Sequence, residues 1–158
     1  MLLLVRLVML FAAGLLAGST ICVWLLEHSF AGTGAFFTEF KQLEIRAFTA
    51  PLSGIGLVAL LAGLAHAALV RRSRSALALT LAGVLSLGIG AFITAGTHFP
   101  MNDRIAAWSS AAAPAEWTDY RDRWRRAHDL RTGVVLVAFG LFLVAALPAD
   151  RRSAATFG

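Results

Sequence analysis

Cysteine, proline and charge are all scarce in this sequence, and each scarcity excludes something. The single cysteine, Cys22, lies inside an apolar run, so neither an intrachain disulfide nor a cysteine-based metal cluster can form. Charged residues make up 15% of the 158 positions against 58% hydrophobic ones, and the mean hydropathy is +0.73. That balance is too apolar for an ordinary soluble domain. The spacings HxxxH, HExxH and ExxH are absent, so no diagnostic metal motif is present. The net charge of +5 does not indicate nucleic acid, because the arginines fall in short separate clusters with no basic stripe. Arg71, Arg72 and Arg74 sit between two apolar runs, and Arg151 and Arg152 come after the last one. This is membrane-flanking charge.

The sequence is rich in apolar runs of a length that spans a bilayer. Residues 7–26 form the first run, preceded by Arg6. It continues past the small residues Ala17-Gly18-Ser19, which favours a retained helix over a cleaved signal peptide. Residues 27–50 are too polar to span, yet Phe36, Phe37, Phe40, Leu43, Ala47 and Phe48 recur at helical spacing. They predict an amphipathic helix that lies on the membrane surface or leads into the second span, with Glu39, Lys41, Gln42 and Arg46 as its solvated side. Glu44 is the exception, falling on the phenylalanine side. Pro51 is expected to start or kink the second span. Spans at 51–70 and 76–95 are separated by the arginine-rich turn.

The fourth run is the informative one. Its clean apolar part, residues 133–147, is 15 residues and covers only ~22 Å of a ~30 Å hydrocarbon core. Pro148 blocks extension at one end, so the helix must borrow roughly five residues at the other. Those are His128, Asp129, Leu130, Arg131 and Thr132, giving a span at 124–147 inside a helix that starts near Pro114 or Ala115. Charge at that depth must face the protein or a wet cavity. The chain is therefore predicted to be one all-α domain over residues 1–158, a four-helix transmembrane bundle with amphipathic connecting helices at 27–50 and 97–123 on the outer face. The nearly unopposed arginines place both termini and the 71–74 turn in the cytoplasm, and the outer connections face the periplasm of a bacterial inner membrane.

Residues 97–132 hold two of four histidines, five of nine acids and three of four tryptophans, and the chemistry is expected there. Trp124, His128 and Arg131 are spaced i, i+4, i+7 and share a helix face, which Trp117 and Arg121 extend outwards. The competing explanation is an aromatic belt with basic residues at headgroup level, which the depth of His128 and Arg131 disfavours. His98 and Asn102 come directly after the third span and meet this face in an antiparallel bundle. His98 and His128 can serve as acid and base, or bind a metal together with Glu44. Haem is disfavoured, since no two helices offer histidines at matching depth. His66 is expected to be a packing hydrogen-bond donor, and Glu27 with His28 an interfacial pair. Trp108, Phe99, Glu44, Gln42 and Arg121 complete the candidate substrate contacts, Gln42 only if its helix is irregular.

The string Pro100-Met-Asn102-Asp-Arg-Ile-Ala-Ala-Trp108, then Pro114-Ala-Glu-Trp117, Arg121-Asp-Arg-Trp124, His128 and Arg131 resembles the signature of the DUF1772 family, small four-helix membrane proteins also called anthrone-oxygenase-like. The first half of the chain is compatible but less specific. Some members of that family are associated with oxidation of anthrones to anthraquinones by O₂, with no dedicated organic cofactor. The resemblance implies Asn102, Trp124, His128 and Arg131 as site residues, while His98 is added by proximity.

Two functions are expected from these residues. The first is an oxygenase or oxidoreductase acting with O₂ on a lipophilic anthrone-, phenol- or quinol-like molecule. Its base is His128 or His98, its anion-holding cation is Arg131, and its flat walls are Trp124, Trp108 and Phe99. The second is a non-catalytic module that docks a partner or lipid headgroups through residues 97–132. A transporter is disfavoured by the lack of a mid-span acid. The expected partners are membrane lipids and a lipophilic small molecule; metal content and homo-oligomerisation are left open by the residues. For topology, a Ser73→Cys variant lacking Cys22 should react with an impermeant thiol reagent only from the cytoplasmic side. Labelling from outside would reverse the orientation.

Overall fold

The computed structural model describes residues 1–147. It contains α1 (Leu2–Ser29), α2 (Gly34–Leu69), α3 (Arg74–Ile93), one π-helical turn (Thr94–His98), α4 (Phe99–Ala106) and α5 (Trp117–Ala146). Apart from one isolated bridge between Ser109 and Ala112, no strand occurs among the described residues. Pro148 and the Arg151-Arg152 pair, on which the expected topology partly rests, lie outside the described residues. Four helical stretches are long and apolar enough to cross a membrane: α1, α2, α3 continued through the π turn into α4, and α5. The protein is an all-α four-helix bundle integral to the membrane. Helix α1 packs on α2 and α5, and α3 packs on the same two, which closes a ring in the order α1, α2, α3, α5. The short 30–33 and 70–73 connections make successive helices antiparallel.

The interior is built from small side chains and the exterior from large ones. Ala12, Ala13 and Ala17 of α1, Ala59 of α2 and Ala138 of α5 are buried with Met9, Leu16, Leu87, Val135 and Phe142. Leu3, Phe11, Leu57, Leu61, Leu85 and Phe92 point outward. Lipid tails solvate leucine as well as a protein interior does, so large apolar residues gain little by turning inward. Small ones let the backbones approach closely. Phe142 is the large plug at the centre. A Cβ added at Gly83 would lie 2.5 Å from its ring, and one at Gly63 3.1 Å.

The second span does not start at Pro51, one of the two roles expected of that proline. Helix α2 runs 36 residues with Pro51 inside it, about 54 Å at ~1.5 Å per residue. The cause is a register. Phe37, Lys41, Glu44, Thr49, Leu52, Ile55, Ala59, Gly63 and His66, all buried or half-buried, hold one inward register across the proline. One lost backbone hydrogen bond at an exposed position does not outweigh that continuous packing. The surface segment and the second span are thus a single helix. Helix α5 starts at Trp117, slightly later than expected, because the Pro114 carbonyl is taken up in a turn to the Trp117 amide, 3.1 Å. It then runs unbroken to Ala146.

Replacing Gly83 by Ala should lower the melting temperature in detergent, with an overpacking cost of about 1–3 kcal/mol. Gly88, whose added Cβ meets nothing within 4 Å, is the control. Equal melting of Gly83→Ala and Gly88→Ala would show that Phe142 is free to move.

Candidate functional site

The half of the bundle away from the 70–73 turn is held together by a buried ionic node. Helix α1 ends with Glu27 turned inward, 2% exposed, and α2 supplies Lys41 at 0% and Glu44 at 8%. The Lys41 ammonium donates to Glu27 Oε1 at 2.6 Å and to Glu44 Oε2 at 2.8 Å. It also sits 3.1 Å from the centre of the Trp124 ring, so carboxylates and an aromatic face take all its bonding directions. Arg125 of α5 reaches the same Glu27, with Nε 3.7 Å from Oε2, and its Nη2 donates to the Glu27 backbone carbonyl. One node therefore ties α1, α2 and α5 together.

Directly beneath it, Trp124 stacks on His128 with ring centroids 5.0 Å apart. The donors around His128 fix its tautomer. Arg131 can only donate, and its Nη2 lies 2.7 Å from His128 Nδ1. Nδ1 is therefore the acceptor, and Nε2 carries the hydrogen, donating to the Thr20 carbonyl at 3.1 Å with Thr132 Oγ1 at 3.3 Å. Both nitrogens of this fully buried imidazole are engaged. Trp124 Nε1 in turn donates to Asn102 Oδ1 at 3.0 Å, which fixes α4 against α5.

His98 is different. It ends the π turn, and Pro100, which has no N–H to return to the preceding turn, gives the reason for the local widening. The ring is 1% exposed, lies edge-on to Trp124 at 4.9 Å and to His128 at 6.2 Å, and approaches the Ile93 backbone weakly; neither nitrogen reaches the geometry of an ordinary hydrogen bond. It borders a cavity of about 350 Å³ lined by all four long helices. Glu44, His98, Asn102, Trp124 and Arg131 line its upper part, and Leu16, Leu60, Leu87 and Val135 its floor. The Arg131 Nε is buried without a partner. Two carboxylates, Glu27 and Glu44, face three cations, Lys41, Arg125 and Arg131, so the group carries one excess positive charge.

Several candidates lie elsewhere. His128 stands behind the wall made by Trp124 and Arg131 and is not on the cavity surface. Phe99 does line the cavity. Trp108 does not; it packs between Phe37 at 6.4 Å and Tyr120 at 5.0 Å. Gln42 donates to the carbonyls of Ile105, Ala106 and Trp108 and so caps the end of α4. Arg121 pairs with Asp122 at 2.8 Å and covers Trp117. These three residues do not line the cavity, because each is taken up by the partners just named. The possible metal set His98, His128 and Glu44 is not gathered, since both His128 nitrogens are occupied. Among the described residues no three His, Cys, Asp or Glu side chains are placed to share an ion.

The profile of the anthrone oxygenase family matches residues 42–141, well over half of the chain. The protein belongs to the anthrone oxygenase family. Neither a curated protein nor a solved structure matches it. In this anthrone oxygenase family member the matched region holds Glu44, His98, Asn102, Trp124, His128 and Arg131. It leaves out α1 and Lys41.

Lys41 and Glu27 stand where their sequence context does not put them. Periodicity assigns Lys41 to the solvated side of its helix and Glu27 to an interfacial pair with His28. His28 is indeed exposed, 3.6 Å from Asp129, whereas Glu27 is buried. A signal for Lys41 exists: it is the chain's one lysine among fourteen bases, four residues from Phe37 and three from Glu44 on the inward register. Removing one partner of such a node strands the others in low dielectric. Lys41→Met should therefore destabilise the protein by about 3–5 kcal/mol, and adding Glu27→Gln and Glu44→Gln to it should recover part of that loss. Melting in detergent checks both; a harmless single change would mean that the node is hydrated.

Proposed function

We propose that this protein is a membrane-embedded oxygenase that oxidises a lipophilic, weakly acidic aromatic molecule with O₂. The observation that carries the reading is the shared cavity. An imidazole with no partner, His98, and a guanidinium with a free Nε, Arg131, face one largely apolar space walled by Trp124 and Phe99. Electron-rich aromatic CH and OH groups react with O₂ once a proton has left, so the protein has to take that proton and hold the anion. His98 is the base, because its lone pair is free where that of His128 is committed to Arg131. Arg131 holds the anionic oxygen, and His128 is a positioning residue that aims the guanidinium. Had these residues been splayed on the outer surface, docking would have been favoured; a sized cavity favours chemistry.

For an anthrone the steps balance. His98 takes one proton from the ring methylene, leaving an aromatic oxyanion opposite Arg131. That anion passes one electron to O₂, and the resulting carbon radical and superoxide combine to a peroxide, which regains the proton from the imidazolium. Loss of water from the hydroperoxide leaves a second carbonyl. The methylene and O₂ have become a ketone and H₂O.

The test is O₂ uptake by the protein in lipid nanodiscs supplied with anthrone. His98→Gln should lower kcat by about 10²–10⁴-fold, the range for loss of a positioned base, with the melting temperature kept. Arg131→Gln should also lose activity, and His128→Gln should lose less. Full activity in His98→Gln would remove the base assignment, and no uptake by the unaltered protein would remove the oxygenase reading for this substrate.

A further inference from the structure

The cavity is longer than its polar end needs, and it is open on one side. The lining residues from α1 and α5 are buried or half-buried. Those from α2 and α3 with its continuation include exposed ones: Phe48, Ser53 and Leu57 on one side, Ala91, Ala95 and Phe99 on the other. The opening is thus a slot between α2 and α3, on the face that meets lipid tails. Its polar groups are gathered near His98, Asn102, Glu44 and the Arg131 guanidinium. Below them the slot runs from Thr94 down to Leu87 on α3 and from Thr49 down to Leu60 on α2. At ~1.5 Å per residue this apolar remainder is about 10–16 Å long. A ring system seated against Arg131 leaves that length unfilled.

We infer that the slot takes a tailed amphiphile from the bilayer: a phenol or quinol head bound among His98, Glu44 and Arg131, carrying a hydrocarbon tail of roughly ten carbons that lies between α2 and α3. This rests on the head site of the oxygenase reading and adds the tail and the lateral path. The head chemistry is set by the mixed lining. A phenol can donate its hydrogen to Glu44 or His98 while its oxygen accepts from Arg131. A fatty acid carboxylate has no hydrogen to donate and meets Glu44 as a like charge. The tail is set by the floor, where Leu16, Leu57, Leu60, Leu87 and Val135 present hydrocarbon with few polar groups to satisfy. Ser53 and Ala91, small residues at the lip, leave the passage clear.

The test uses the full-length protein in nanodiscs and a 4-alkylphenol whose tail, roughly ten carbons long, ends in a diazirine. Photolabelling should mark Leu60 or Leu87. Excess 4-methylphenol should displace the label, and a fatty acid of matched length should not. Ala91→Trp, which fills the lip from an exposed position, should lower the deep labelling at least tenfold; Ser53→Trp should do the same if the first variant folds poorly. Marks confined to outward residues such as Leu61 and Phe92 would overturn the tail site, as would labelling that both tryptophan variants leave unchanged. Equal displacement by the fatty acid would overturn the phenolic head. Photolabelling needs no turnover, so the two readings separate. Deep labelling of a protein that consumes no O₂ supports the slot and removes the oxygenase, while O₂ uptake with outward marks alone removes the slot and keeps the oxygenase.

Discussion

The half of this protein that holds the cavity depends on one ammonium group. Lys41 is completely buried between Glu27 and Glu44 and lies against the Trp124 face. In a medium that cannot solvate ions, a lone lysine or glutamate at that place would be very costly. The three are tolerable only together, and together they fix α1, α2 and α5 at one level. Trp124 is held from above by that cation and from its edge by Asn102, and His128 stacks beneath it. The position of Arg131 is fixed in turn, since its guanidinium rests on His128. The placement of the cavity's charged end is therefore a consequence of the node.

The same physics divides the molecule in two. In the half that includes the 70–73 turn packing is chiefly by alanine, glycine and one central phenylalanine, and its inter-helix polar contacts are isolated: His66 Nδ1 hydrogen bonds Thr80 at 3.0 Å, the packing role expected of it, and Ser86 donates to the Val134 carbonyl at 2.8 Å. In the other half the helices carry polar side chains that only neighbouring helices can satisfy, and they line a space instead of filling it. The family assignment fits this division, because the matched region contains both the polar cavity wall and the apolar slot below it. On the proposed reading, the reaction between O₂ and a greasy acid uses the open volume, the unbonded imidazole and the guanidinium found there.

Much of the fold is legible in the sequence because bilayer crossing constrains sequence so strongly. Four runs of spanning length, the short arginine-rich turn and the shortfall of the fourth run lead to four helices and to the burial of His128. The family resemblance rests on Asn102, Trp124, His128 and Arg131, which the structure does bring within one neighbourhood. The continuity of α2 through Pro51 is harder to see. A local rule about proline competes with a long-range register, and the register, which repeats at every turn, prevails.

Composition and periodicity determined the class, the number of spans and the inward face of the last helix, while the resemblance carried by the motif string between Pro100 and Arg131 pointed to the family. These are properties of single helices or of the solvent around them, and one helix at a time is what a sequence displays. Which polar residue meets which was decided only by tertiary structure. The spacing of Lys41 from Phe37 and Glu44 is a faint local signal, but its burial is decided only when Glu27, fourteen residues earlier on another helix, is brought to 2.6 Å. Likewise, nothing in the sequence says that the His128 lone pair is spent on Arg131 while that of His98 is free. Ion pairing and hydrogen bonding act over about 3 Å, and only the packed bundle sets distances on that scale.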